Sequence, residues 1–309
     1  MKTTGKVGNT IFKTCATGAA VIILATLAAV AVFLVIQAWP AISDPSARFR
    51  TNGSGVEVSL WKLTAPQIFG TVLAALLAML VAVPISVGIA LYISHYAPRK
   101  VASLLGYLVD LLAAIPSVIF GLWGGIWLIP KLVPVYDAVS DHLGWIPLFA
   151  GPVSTTGKVV ASASLVLAIM ILPIITSVCR EVFLKTPRLH EEAALALGAT
   201  RWEMIRTAVL PFGRSGIISA SMLGLGRALG ETMAVVMVLS PGASFDWGIF
   251  QAGKHATIAA NIAQQFPEAT GLQSSALIAT GLALFLITMI VNSLARWIVA
   301  RRAEFSGAN

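Results

Sequence analysis

Glu192-Ala-Ala-Leu-Ala-Leu-Gly198-Ala-Thr200-Arg-Trp-Glu203-Met-Ile-Arg-Thr-Ala208-Val-Leu210-Pro211 runs directly into Phe212-Gly-Arg214-Ser-Gly-Ile-Ile-Ser-Ala220-Ser-Met-Leu-Gly224-Leu-Gly226-Arg227-Ala-Leu-Gly230-Glu231-Thr232-Met-Ala-Val-Val-Met-Val-Leu239. The first part is polar and punctuated by a glycine. The second is apolar and long enough to cross a bilayer, which takes about 20 residues, yet it holds an arginine and a glutamate. An arginine at the centre of a membrane helix costs at least about 2.5–3.5 kcal/mol on insertion scales. The polar part reads either as an ordinary surface helix pair or as a knob built to touch a partner, and the charge needs something other than lipid.

The composition agrees. Of 309 residues, 57% are hydrophobic and 11% charged, against about 25% charged in a soluble domain. Mean hydropathy is +0.87. The net charge of +8 does not point to nucleic acid, because Lys and Arg beside apolar spans are what membrane orientation requires. Membrane lipid is the expected surrounding. Six apolar segments, near 15–39, 68–94, 103–130, 158–178, 215–239 and 275–299, predict an all-α integral membrane protein with six transmembrane helices. The first is longer than a signal-peptide core and Ala38-Trp39-Pro40 is a poor cleavage site, so it reads as a retained anchor. Lys2, Lys6, Lys13, Arg99, Lys100, Arg180 to Arg214, Arg296, Arg301 and Arg302 fall on one side, which puts both termini in the cytoplasm. Residues 1–64 then form an anchor helix and outer loop, with some structure expected near Val56–Leu63. Residues 65–309 form the main membrane domain, with an inner loop at 179–214. Thr257 to Phe266 reads as a short helix at the outer interface. Cys15 and Cys179 face the reducing side, where a disulfide is not expected.

Several motifs fail on inspection. Gly151 to Val159 imitates a phosphate-binding loop, but it has five residues between its glycines and Val159 where a hydroxyl must hold magnesium. Gly224 to Gly230 imitates a dinucleotide fingerprint inside an apolar span. His190-Glu191 begins a metalloprotease pattern, but Ala194 occupies the second histidine position. The chain gives no sign of hydrolysing ATP and carries no catalytic constellation or metal-ligand spacing.

In the inner loop, Leu189 to Leu197 is rich in helix formers. Gly198 can end that helix in a left-handed conformation. Thr200 with Glu203 three residues later makes a capping box for a second helix stopping near Pro211. Glu192-Ala193-Ala194, Gly198 and Leu210-Pro211 resemble the EAA loop of ABC importer permeases, with Ala208 standing where that family usually has isoleucine. The resemblance implies a coupling helix that docks on a separate ATPase subunit, with Glu192, Ala193, Ala194 and Gly198 as contacts and Leu210-Pro211 shaping the return to the membrane.

With the fifth span starting near Ser215, Arg227 sits about 18 Å in, at 1.5 Å per residue, close to the middle of a layer about 30 Å thick. Arg227 and Glu231 are four apart and share a helical face, so they can pair. The stripe Gly216, Ala220, Gly224, Ala228 lets neighbours approach closely. The residues alone leave two readings open. The pair is a brace between helices, or Arg227 offers its fork to a passing oxyanion while Glu231 neutralises it when the path is empty. Gly226-Arg-Ala-Leu-Gly-Glu-Thr-Met-Ala-Val235, Ile115-Pro-Ser-Val-Ile-Phe-Gly-Leu-Trp-Gly124 and Thr257-Ile-Ala-Ala-Asn-Ile-Ala263 are similar to phosphate-specific permeases of the PstC type. That resemblance implies the type I ABC importer (MetI-like) permease fold, with Arg227, Glu231 and Thr232 on the substrate path. It implies a heterodimer with a homologous permease, two ATPase subunits that use ATP and magnesium, an external phosphate-binding protein, and a place in the bacterial inner membrane. This chain itself is expected to bind no cofactor. Sulfate or molybdate permeases, whose similar run typically continues with Phe-Gly, a proton-coupled carrier using Glu231, and a sensory subunit are the alternatives.

Overall fold

The computed structural model describes the backbone of residues 4–52 and 55–303. Lys2 and the last residues of the 65–309 region lie outside them. Among the described residues six helices are long and apolar enough to span a membrane: Gly8–Ser43, Leu60–Tyr96, Ser117–Leu143, Val160–Leu184, Arg201–Gly230 and Leu272–Trp297. The six-span all-α expectation holds, and two spans differ from it in ways that matter.

Helix α1 (Thr4–Ser43) is a single rod, exposed along most of its length. It leans on α12, the last helix (Leu272–Ala303). Above it β1 (Phe49–Arg50) pairs antiparallel with β2 (Glu57–Val58). Phe49 is buried with Ala41, Leu63 and Ala276. The Arg50 N–H donates to Gln273 Oε1 at 3.1 Å, and Gln273 Nε2 donates to Arg50 O at 3.1 Å. Helix α1 and the segment that follows it are thus fastened to the N-terminal end of α12.

The centre of the bundle is α2 (Leu60–Leu91) against α6 (Val160–Leu184). Ala74, Ala78, Ala82 and Ser86 of α2 are all buried, and such small residues let membrane helices pack closely. Ser86 Oγ donates to Leu172 O at 3.1 Å. Higher on α2, a Cβ at Gly70 would collide with the carbonyl oxygen of Ala256, whereas one at Gly88 would meet nothing. Gly70→Ala is expected to cost about 1–3 kcal/mol, the usual cost of overpacking. Gly88→Ala on the same helix is expected to cost nothing measurable, and thermal unfolding of the two purified variants compares them directly.

The third span is not 103–130. Helix α3 (Arg99–Ala113) ends before Pro116, and α4 (Ser117–Trp123) starts the span proper. Pro116 lacks an N–H and biases Ile115 away from the helical region, so the apolar run breaks where composition alone is continuous. The span goes on through a π turn at Gly124–Leu128 into α5 (Ile129–Leu143).

After α6 come α7 (Arg188–Ala196) and α8 (Arg201–Met204), the expected pair of short helices. The second does not stop at Pro211. A π turn at Ile205–Val209 leads straight into α9 (Leu210–Gly230). Pro211 therefore lies inside one continuous helix, just after the π turn, and its missing N–H interrupts the bond ladder at that point without ending the helix. The fifth span is displaced from 215–239 to Arg201–Gly230, and a separate short helix, α10 (Met233–Val238), follows. Helix α11 (Ile258–Gln265) is capped by Thr257, whose Oγ1 accepts from the Ala260 N–H at 3.4 Å. Its Ile258, Ala260 and Asn261 are buried among α2, α10 and α12, so this helix is packed into the bundle and does not merely lie across its outer face.

Candidate translocation site and coupling surface

Gly226 and Gly230 each weaken a helix by about 1 kcal/mol relative to alanine, and α9 ends at the second of them. Glu231 is extended, with φ −68° and ψ 127°. Its Oε1 accepts from the N–H of Ala234, the second residue of α10, at 3.1 Å, and so satisfies one of the donors that a helix start leaves free. Glu231 is thus buried and spent on starting α10, while Arg227 stays exposed on α9. The ion pair that the four-residue spacing predicts is not formed. The shared face exists only in a continuous helix, and the chain leaves the helix between the two residues. Among the described residues Arg227 makes no ion pair. Thr232, half-buried, donates its Oγ1 hydrogen to Gly230 O at 3.1 Å. Broken helices at membrane depth are tolerated only where protein or water receives the freed backbone groups.

Arg227 lines a cavity of ≈ 810 Å³ whose walls include Ile174 of α6, Ser219 and Leu223 of α9, and Asn292 and Arg296 of α12. Ser219 Oγ donates to Ser215 O at 2.9 Å and keeps its lone pairs. Sequence reasoning missed Asn292 and Arg296. Arg296 enters the orientation argument only as one positive residue among many, and nothing local marks it.

The Ile115–Gly124 stretch meets α10. A Cβ on Gly121 would press on the Ala234 backbone and Met237, and one on Gly124 on Val166. Helix α11, from the Thr257–Ala263 stretch, lies beside α10 and α12. The three separated stretches that carry the family resemblance therefore converge on the break after Gly230. Beyond them, in the loop between α10 and α11, buried His255 holds Asp246 O at 2.7 Å through Nε2. Burial keeps the His255 pKa below its ordinary value, so it holds this loop as a neutral imidazole.

At the other end of α9, α7 has no buried residue. Leu189 and Leu197 are 74% and 90% exposed. Gly198 has φ +85°. Its N–H bonds to Leu195 O and the Ala199 N–H to Ala194 O, the two bonds of a Schellman motif. The capping box is complete: the Thr200 N–H donates to Glu203 Oε2 at 2.7 Å and the Glu203 N–H to Thr200 Oγ1 at 3.3 Å. Glu192, Ala193 and Gly198 are exposed, Ala194 and Leu210 pack partly on the core, and Pro211 is exposed. Glu191, which the sequence marks only as part of a failed metalloprotease pattern, approaches His95 Nε2 at 3.5 Å. His95 Nδ1 lies 2.7 Å from Ser94 Oγ, so α7 is tied to the π turn (Tyr92–Tyr96) that ends α2.

A multi-pass bundle with an unpaired guanidinium on an open cavity, and an uncovered helix knob at one end, has the build of a transport permease. Residues 82–304 match the family described as binding-protein-dependent transport system inner membrane component, and the chain belongs to that family. It is 44% identical over 304 residues to the phosphate transport system permease protein PstC 2 of Mycobacterium tuberculosis, covering 96% of this chain and 93% of that one. To the phosphate transport system permease protein PstC of Mycobacterium leprae it is 43% identical, covering 89% and 88%. A chain of the inward-facing MetNI methionine ABC transporter shares the fold at a TM-score of 0.50 and 17% identity, over 77% of this chain and 96% of that one. The fold is that of the MetI-like ABC importer permeases.

Proposed function

We propose that this chain is one of two membrane subunits of an ATP-driven inorganic phosphate importer. The observation that carries the reading is Arg227, a guanidinium without a carboxylate partner on the open cavity of a membrane bundle. A fork of this kind suits a tetrahedral oxyanion. The near-full-length likeness to relatives named as phosphate permeases supports phosphate as that anion.

The rest follows from the class. Residues 65–309 form the translocating domain, with both termini in the cytoplasm, and 1–64 anchor it. A homologous permease faces this chain, two ATPase subunits bind ATP and magnesium beneath, and an external binding protein delivers phosphate. Glu192, Ala193, Ala194 and Gly198 carry the stroke of the ATPase into α9 through the loop at 179–214, and Leu210-Pro211 pass it on. Alternating access then exposes the Arg227 cavity to one side at a time. Thr232 and Glu231 stand at the break above it. Glu231 serves there by holding α10, a task that occupies its carboxylate and disfavours a proton relay.

The test is uptake of labelled phosphate by cells that depend on this chain and its partner subunits. Uptake is expected to need an active ATPase and to persist under excess sulfate or molybdate. Competition by sulfate would reassign the cargo. Uptake that survives an inactive ATPase and collapses with the proton gradient would make the chain a secondary carrier.

A further inference from the structure

We propose that Arg296 and Asn292 of α12 form a second oxyanion station, facing Arg227 across the same cavity. This rests on the transport reading above, though not on phosphate being the cargo.

Helices α9 and α12 are successive spans and run in opposite directions. Side chains lean toward the N-terminus of their own helix, so long residues on two antiparallel helices lean toward each other. Arg227 lies near the C-terminal end of α9, and Arg296 lies near the C-terminal end of the apolar part of α12. Both nevertheless line one cavity, which therefore reaches from the helix break toward the end of the bundle that carries α7. Asn292 sits one turn before Arg296 on the same face and adds an amide with both donor and acceptor groups. Among the described residues no carboxylate lines this space and neither arginine makes an ion pair. Two cations in one cavity with apolar walls repel each other, and an anion between them relieves both. A ligand leaving the Arg227 fork finds the next fork already in the cavity. The volume of ≈ 810 Å³ leaves room for an anion that keeps part of its water shell, at about 30 Å³ per water. The ligand class is a small tetrahedral oxyanion.

An arginine near a membrane edge can also be a plain orientation anchor, so the test must separate the two roles. Cys15 is exposed and Cys179 buried, so with Cys15→Ser and Leu223→Cys this chain presents one accessible thiol, in the cavity, and its labelling is read on this chain within the assembled complex. A negatively charged thiol reagent is expected to modify it at least about tenfold faster than a positively charged one of equal size, the bias that a cleft of one charge sign produces. Millimolar phosphate or sulfate is expected to slow that reaction. Adding Arg296→Gln should cut the charge preference at least about threefold and remove the protection by anion. Arg296→Lys should restore the preference but not the protection, which an anchoring role alone would not predict. Preference and protection unchanged in Arg296→Gln would overturn the proposal, as would a thiol that neither reagent reaches. Should Arg296→Gln fail to assemble with the ATPase, Asn292→Leu carries the same comparison, with loss of protection supporting the station and retention overturning it. Uptake by the parent complex tests the transport reading separately. If that complex moves sulfate in place of phosphate, the cargo assignment falls and the station stands.

Discussion

Arg227→Gln is expected to lower phosphate uptake by about two to four orders of magnitude. Each hydrogen bond from a charged group is worth about 1.5–3 kcal/mol, a guanidinium fork makes two to one anion, and every 1.4 kcal/mol is about tenfold. The measurement is the initial rate of labelled phosphate uptake, with copurification of the ATPase subunits to show that the complex has assembled. Because Arg227 is exposed on α9 and holds no partner within the described chain, the variant leaves no buried charge behind and should fold. Glu231→Gln makes an informative companion. Its side-chain oxygen can still accept from the Ala234 N–H, so it should keep most of the uptake. Normal uptake by Arg227→Gln would remove this residue from the path and return it to the role of a brace.

The second large effect is expected at the opposite end of α9. Gly198 sits at φ +85° with nothing within 4 Å of where a side chain would begin. Gly198→Val therefore meets no obstacle in space, only the cost of a left-handed backbone, about 1–2 kcal/mol. Relieving that strain means giving up the two Schellman bonds and re-aiming α7 relative to α8. Uptake should fall by about tenfold or more, since a loss of 1.36 kcal/mol in the driven step already gives that factor, while basal ATP hydrolysis continues. Gly253→Val is the matched control. Gly253 has φ +68° and equally open space, but it lies in the loop between α10 and α11, outside the α7–α8 pair. Equal losses in the two variants would show that the effect is general instability and not failed coupling.

What the sequence disclosed depended on the range of the interaction. The Gly198 turn and the Thr200–Glu203 box are built from residues within a few positions of one another, and both are present as read. The six spans depend on apolar length, and they too are present. The break after Gly230 was hidden because Met233 to Leu239 is as apolar as what precedes it, and hydropathy does not register a change of direction. Two glycines four residues apart, at 226 and 230, were the available signal, and they read equally well as close-packing positions. The predicted Arg227–Glu231 pair failed for that reason alone. Arg296, Asn292 and the His95–Glu191 contact depend on helices far apart in the chain, and no local pattern announces them.

The π turn at Ile205–Val209 also sets a phase. An α-helix advances about 100° per residue, and a π turn holds one residue more than the α turn it replaces. Removing that residue would turn α7 and α8 by about 100° about the axis of α9 relative to Arg227. The direction in which the exposed knob faces the ATPase, and the direction in which the guanidinium faces the cavity, are therefore locked together by one residue of chain length. Any insertion or deletion between Thr200 and Arg227 acts as a rotation, and only those that preserve the turn leave both surfaces aimed at their partners.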